Sequence, residues 1–172
     1  MREAQPSLSA ELTREISMEE IKRILFCEDD PKDVELTLVA LAEYNLANNV
    51  DVVRDGQEAL EYLRHQGSFE MRGGTHPGVV LLDLKMPKID GLEVLRQVRG
   101  DDELKMIPVV MLTSSREERD IVESYKLGVN AYVVKPVDFH QFVEAIRQVG
   151  SFWAIINQPS PIRAEIIKAT QN

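Results

Sequence analysis

Cysteine is almost missing from this chain: Cys27 is the single one in 172 residues, so no internal disulfide can form and a disulfide-stapled scaffold is excluded. Long hydrophobic runs are missing as well. Apolar stretches such as Val79–Leu82 and Val109–Leu112 are short, far below the ~20 residues of a membrane-spanning helix. Positive charge is in deficit, with 20 Lys+Arg against 29 Asp+Glu and a formal net charge of -9. Such a surface repels phosphate backbones, which argues against nucleic acid as a partner. Histidine is scarce, and His65, His76 and His140 stand apart with no His/Cys spacing for a zinc site. The first residues, Met1 to Ser9, carry Glu3 and Pro6 and no apolar core of a signal peptide. These absences predict a cytoplasmic chain without membrane or nucleic-acid contact. What is present is a globular balance, 44% hydrophobic and 28% charged, at a length that suits one domain with a real core.

Punctuation along the chain is regular. Ile24–Cys27, Val50–Val53, Val79–Leu82, Val109–Leu112 and Ala131–Val134 are short apolar runs separated by helical patterns. Fully apolar runs predict strands covered on both faces, as in a parallel sheet with helices on each side. Asp51 and Arg54 mark the second strand as an edge. The first helix is predicted to start at the cap Asp30 with Pro31 at its first position, burying Val34, Leu38 and Leu41. The second covers about Gln57 to His65, and the third follows Gly91 and stops near Gly100. The fourth, about Arg116 to Leu127, ends at Gly128. The fifth starts at Asp138 and is expected to run as a helix through Ile155 and Ile156 until Pro159. The segment Gln66 to Gly78 reads as a long loop, and a short terminal helix is expected around Ile162 to Ala169. The organisation is therefore an N-terminal extension over 1–20, a domain over 21–150 and a C-terminal arm over 151–172. The stretch after Gly150 is too short for a second domain of ~50 residues or more.

In an open parallel sheet, chemistry collects beyond the carboxyl ends of the strands. There the chain places Glu28, Asp29 and Asp30, then Asp83, then Thr113 to Ser115, then Lys135 and Pro136. Each has an ordinary structural reading taken alone, as a cap, a solvated loop acid or a surface cation. Met86 and Met111 read as packing, and Cys27 as a small buried apolar side chain. The set is more demanding. Crowded carboxylates repel unless a proton or cation intervenes, and oxygen donors without imidazole or thiolate favour a hard ion such as Mg²⁺. A metal, an ammonium and a hydroxyl around one carboxylate suit a phosphoryl group carried on that carboxylate.

The order Glu28-Asp29, Leu82-Asp83-Leu84-Lys85-Met86-Pro87, Asp90-Gly91, Leu112-Thr113-Ser114-Ser115 and Ala131-Tyr132-Val133-Val134-Lys135-Pro136 resembles the receiver domain of two-component response regulators. The spacing of aspartate, threonine and lysine is kept, and the resemblance covers about Ile21 to Gly150. It implies a flavodoxin-like doubly wound (βα)5 fold with strand order 2-1-3-4-5, flanked by the two extensions. By the same resemblance Asp83 is the phosphoacceptor. Glu28, Asp29 and Asp83, with the backbone carbonyl of Lys85, bind Mg²⁺ or Mn²⁺. Thr113 and Lys135 stabilise the phosphoryl group, and Thr113 and Tyr132 form the switch. Gly91 and Pro136 are structural, and a cis bond before Pro136 is expected. Glu28 stands where many members carry aspartate, and Ser114 where many carry alanine.

A narrower resemblance, in the long loop, Asp29-Asp30-Pro31, Lys135-Pro136-Val137-Asp138 and Phe152-Trp153, is to single-domain regulators paired with bacterial and cyanobacterial phytochromes. It implies a sensor histidine kinase of phytochrome type as donor and a signal passed through the fourth helix, fifth strand and fifth helix. The protein is then a signalling phosphoacceptor and not an enzyme acting on other substrates. Without an output domain, signalling passes by contact or onward to a phosphotransfer protein, as in a phosphorelay. Phe152, Trp153, Ile155 and Ile156 exceed what one domain buries and predict a homodimer surface. Three alternative readings meet obstacles in the residues. A haloacid-dehalogenase-type phosphatase lacks its second aspartate, since Lys85 stands there. A flavin module would find Glu28-Asp29-Asp30 repelling its phosphate. A pseudo-receiver scaffold would not need the full set of phosphorylation groups.

Overall fold

The computed structural model describes residues 22–43, 45–73, 75–136 and 138–157. The predicted N-terminal extension at 1–20 and the predicted terminal helix at 162–169 lie outside these residues. Strands and helices alternate: β1 (Ile24–Cys27), α1 (Pro31–Ala42), β2 (Val50–Val53), α2 (Gly56–Arg64), β3 (Val79–Leu82), α3 (Gly91–Gly100), β4 (Val109–Thr113), α4 (Glu118–Lys126), β5 (Ala131–Val134) and α5 (Phe139–Ser151). The strands form one five-stranded parallel sheet in the order β2-β1-β3-β4-β5. This is the predicted flavodoxin-like order, with β2 at an edge.

The two-residue period of each strand divides the core. Leu25, Cys27, Val80, Leu82, Val109 and Met111 face a cluster built with α2 and α3. Ile24, Phe26, Val79, Leu81, Val110 and Leu112 face the opposite cluster, built with α1 and α5. Both faces of the central strands are thus dry, which is why their sequence is apolar without alternation. On α1 the buried residues are Val34, Thr37, Ala40 and Leu41. Leu38, predicted to point inward, is only half-buried at the margin of that core.

Four helices start on an aspartate whose side chain accepts a backbone N–H of the first turn. Asp30 takes Lys32, Asp55 takes Glu58, Asp90 takes Glu93 and Asp138 takes Gln141. The exception is α4, which starts at Glu117 with no side-chain cap. It stops as predicted, with Gly128 at φ 85 just beyond its end.

The long loop is packed rather than loose. It contains a 3₁₀ turn at Gly67–Phe69. Phe69 meets the Tyr62 ring edge-on at 5.3 Å between centroids, and the Arg72 guanidinium lies over that ring at 3.9 Å. The Tyr62 hydroxyl donates to Asp51 on the edge strand, and burial together with that carboxylate pushes its pKa up to about 12.

Two expectations need correction. The fifth helix does not stay regular to Ile156. It widens into a π turn at Phe152–Ile156, closed by the Asn157 N–H donating to the Phe152 carbonyl at 2.7 Å. This turn buries Ala154 and leaves Phe152, Ile155 and Ile156 exposed, while Trp153 packs partly against the α1/α5 core. The peptide bond before Pro136 is trans, not cis, since the described residues hold no cis bond. The trans form is the intrinsically favoured one, and here Lys135 is already held by its N–H on the Thr113 carbonyl at 2.8 Å.

Candidate functional site

Register brings the acids together. Cys27 pairs with Leu82 across β1 and β3, so Glu28 and Asp83 leave the sheet side by side, and the Asp83 N–H donates to the Cys27 carbonyl at 3.0 Å. Strand parity sends Glu28, Asp83 and Lys135 toward the α1/α5 side of the sheet. Thr113 and Tyr132 fall on the opposite parity, toward α3 and α4. One carboxylate oxygen from each of Glu28, Asp29 and Asp83 lies within 4.8 Å of the others.

Burial sets the electrostatics. Glu28 is 1% and Asp83 6% exposed, while Asp29 is exposed. Desolvation pushes the Asp83 carboxyl above the usual carboxylate range, against the opposing pull of the Lys135 charge. Burial likewise raises Glu28, although Lys135 and the Asp30 N–H, which donates to Glu28 Oε1 at 3.0 Å, act the other way. Lys135 Nζ donates to Glu28 Oε2 and, at 2.7 Å, to Asp33 Oδ2. It stands 3.9 Å from Asp83 Oδ1, beyond hydrogen-bond reach. Burial alone would lower its pKa, but the hydrogen bonds that it donates to Asp33 and Glu28 prevail and hold it above the usual lysine range.

Asp83 Oδ1 is buried and has no hydrogen-bond partner. An orphaned carboxylate oxygen at this depth is costly unless something else is meant to occupy its lone pairs. Three converging carboxylates with no imidazole or thiolate fit a hard divalent cation, so the residues present suit Mg²⁺ or Mn²⁺.

The loop after β3 is held tightly. The Gly91 N–H donates to the Leu84 carbonyl at 2.8 Å, and a Cβ on Gly91 would lie 2.3 Å from the Asp83 carbonyl oxygen. Glycine is needed there for the close approach of α3 to the loop that carries Asp83. Lys88, at φ 63, reaches across to Asp55 at 2.6 Å and ties this loop to the start of α2. Lys85 is exposed and, with Asp29, Met86, Pro87, Asp90 and Arg119, lines a cleft of about 520 Å³ beside the acids. Met86 itself is buried, as its packing role predicts.

Thr113 is buried at the end of β4, where its Oγ1 accepts the Ser115 N–H at 3.2 Å. The Tyr132 hydroxyl donates to the Ser115 carbonyl at 3.2 Å. The Ser115 hydroxyl donates to Asp120 Oδ2 in the first turn of α4 at 2.6 Å, both residues being buried. The β4–α4 loop therefore joins threonine, tyrosine and α4 in one hydrogen-bonded chain.

All five predicted polar residues, Glu28, Asp29, Asp83, Thr113 and Lys135, gather at the carboxyl edge. Two participants escaped the sequence reading. Asp33 reads in the sequence as an ordinary first-turn acid, although its place one turn after Asp30 puts it at the same sheet edge. Asp120 gave no signal, because a buried aspartate on a charged helix reads as surface.

Residues 24–147 match the family described as the response regulator receiver domain. The chain belongs to the response regulator receiver family. This receiver is 37% identical over 132 residues to the response regulator Rcp1 of Synechocystis sp., a match covering 77% of this chain and 88% of Rcp1. The Mn²⁺-bound form of Rcp1 aligns at 35% identity with a TM-score of 0.74, over 81% of this receiver and 99% of that chain. The bacteriophytochrome response regulator AtBRR aligns at 62% identity and a TM-score of 0.65, again over 81% and 99% of the two chains. The phosphorylated cyanobacterial phytochrome response regulator RcpA aligns at 38% identity and a TM-score of 0.76, with the same coverage. Among the described residues of this receiver, no helix is long and apolar enough to cross a membrane.

Proposed function

We propose that this receiver accepts a phosphoryl group on Asp83 from the phosphohistidine of a phytochrome-type sensor kinase. The observation that carries the reading is the buried, unpartnered Oδ1 of Asp83 beside Glu28, Asp29 and Lys135. An Asp83 oxygen attacks phosphorus, the P–N bond breaks, and the leaving imidazole nitrogen takes up a proton from solvent. Glu28, Asp29, Asp83 and the Lys85 carbonyl would hold Mg²⁺ or Mn²⁺, which when bound neutralises phosphoryl oxygens. Lys135 supplies the second positive charge, and the Thr113 hydroxyl donates to a phosphoryl oxygen.

The kinase class is inferred from kinship. Relatives bearing the names phytochrome and bacteriophytochrome response regulator share 38% and 62% identity with this chain. Once Thr113 engages the phosphoryl group, the Ser115–Tyr132–Asp120 connections shift, and the face of α4, β5 and α5 changes its population of states. That face then signals by contact or hands the group to a phosphotransfer protein. Phe152, Ile155 and Ile156, exposed beyond α5, supply an apolar surface for a homodimer.

The test is phosphotransfer from an autophosphorylated phytochrome-type kinase in the presence of Mg²⁺. The wild-type chain is expected to label stoichiometrically, and Asp83→Asn or addition of EDTA to abolish labelling. Stoichiometric labelling of Asp83→Asn would move the acceptor elsewhere.

A further inference from the structure

Asp33 lies outside the motif set, yet it accepts one of the two hydrogen bonds that the Lys135 ammonium donates, the other going to Glu28. Its Oδ2 accepts from Lys135 Nζ at 2.7 Å, across 102 residues of chain, while the lysine remains 3.9 Å from Asp83 Oδ1. The ammonium is thus drawn to the pocket by Glu28 and Asp33 and stopped short of an acceptor oxygen that has no partner of its own. We propose that Asp33 is a positioning residue, a tether that holds Lys135 back from Asp83 and from which an incoming phosphoryl group must draw the lysine.

This rests on the reading of Asp83 as phosphoacceptor. The two lysine partners differ in setting. The Glu28 side chain is 2% exposed and sits among the oxygens that suit a divalent ion, whereas the Asp33 side chain is 32% exposed on the first turn of α1. A carboxylate engaged with a cation holds the ammonium less strongly, so Asp33 becomes its main competitor. Exposure to water keeps that contact weak enough to break. Asp33 also adds a negative charge near a site that must receive a dianion. Removing it frees Lys135 and lowers the local negative charge, and both effects favour the anion. A helix-dipole role for Asp33 predicts something else: lower thermal stability with unchanged anion affinity.

The experiment is calorimetric titration of the full chain with beryllofluoride in saturating Mg²⁺, together with the rate of labelling by phosphoramidate. Asp33→Asn is expected to bind beryllofluoride about two- to fivefold tighter, the range of one partly exposed ion pair, and to label correspondingly faster. Asp33→Glu restores the wild-type values by restoring the carboxylate. Asp30→Asn, which removes a charge from the same end of α1 and keeps the cap but leaves Lys135 tethered, is expected to raise affinity by less than Asp33→Asn does. Unchanged or weaker binding by Asp33→Asn, while the wild-type chain binds at Asp83, would overturn the tether. An equal gain in Asp30→Asn would overturn it too, by showing a general field effect. Failure of the wild-type chain to bind would instead remove the phosphoacceptor reading, and the tether with it.

Discussion

Burying Asp83 without a hydrogen-bond partner for Oδ1 opposes folding for as long as the carboxyl is ionised. Its pKa in the folded chain is raised by desolvation, so the folded state binds a proton more readily than the unfolded chain does. The penalty is therefore in force at neutral pH and relieved as pH falls through the raised value. Glu28 is shifted in the same direction by burial, though Lys135 offsets part of it. Asp83→Asn keeps the shape and removes the charge. In metal-free buffer at pH 7 it is expected to melt a few degrees above the wild type, with the gap narrowing as the pH is brought toward 4. Equal melting temperatures across that range would show that the carboxylate is not strained by its surroundings. The opposite sign holds for Asp55. Burial works against its ionised form, but the bonds from Lys88 and the α2 cap keep its pKa low, so its stabilisation is lost only in acid. The buried charge at Asp83 is thus tolerated on stability supplied elsewhere.

Among the helices, α4 is the one that buries no apolar residue. Its buried residues are the polar pair Asp120 and Ser124, whereas α3 buries Val94, Leu95 and Val98. It lacks the side-chain cap that starts the other four helices. Its N-terminus hangs instead on Ser115, whose hydroxyl donates to Asp120 and whose carbonyl takes the Tyr132 hydroxyl. Few buried apolar contacts mean a low local unfolding free energy. Hydrogen exchange is expected to be faster in α4 than in α3, and Ser115→Ala to raise the α4 rates further while leaving α3 unmoved. Uniform protection of the two helices would contradict this account of the switch. On the far side, Arg99 anchors the element ends by donating to the carbonyls of Lys105, Ile107 and Gly128 and to Asn130 Oδ1.

At the scale of the whole molecule, parallel topology does two things at once. It seals both faces of the sheet and leaves the carboxyl edge open for chemistry. The arm beyond α5 extends the α1/α5 layer. The Lys22 amide and ammonium donate to the carbonyls of Ala154 and Asn157, so the arm is joined to the segment entering β1. Phe152, Ile155 and Ile156, 46%, 45% and 64% exposed, lie together on this arm. If they form the homodimer surface, light scattering at tens of micromolar will report a dimer. The double variant Phe152→Ser, Ile156→Ser will then report a monomer with unchanged labelling of Asp83. A wild-type monomer at that concentration would remove the dimer.

The local pattern of the chain determined a great deal. Apolar runs without alternation dictated a doubly covered parallel sheet, since only strands dry on both faces carry such sequences. Asp30 and Asp138 declared helix starts because capping is a contact over two or three residues. The acids, threonine and lysine were legible as a set because topology sends every strand's end to one edge. Tertiary structure decided what depended on distant partners. Asp33 reads as a first-turn acid until β5 brings Lys135 to it, and Asp120 reads as solvated until Ser115 covers it. Trp153 reads as surface until the π turn rotates it partly onto the core. In each case the deciding energy is burial or a charge contact between residues far apart in the chain, and no local pattern encodes that.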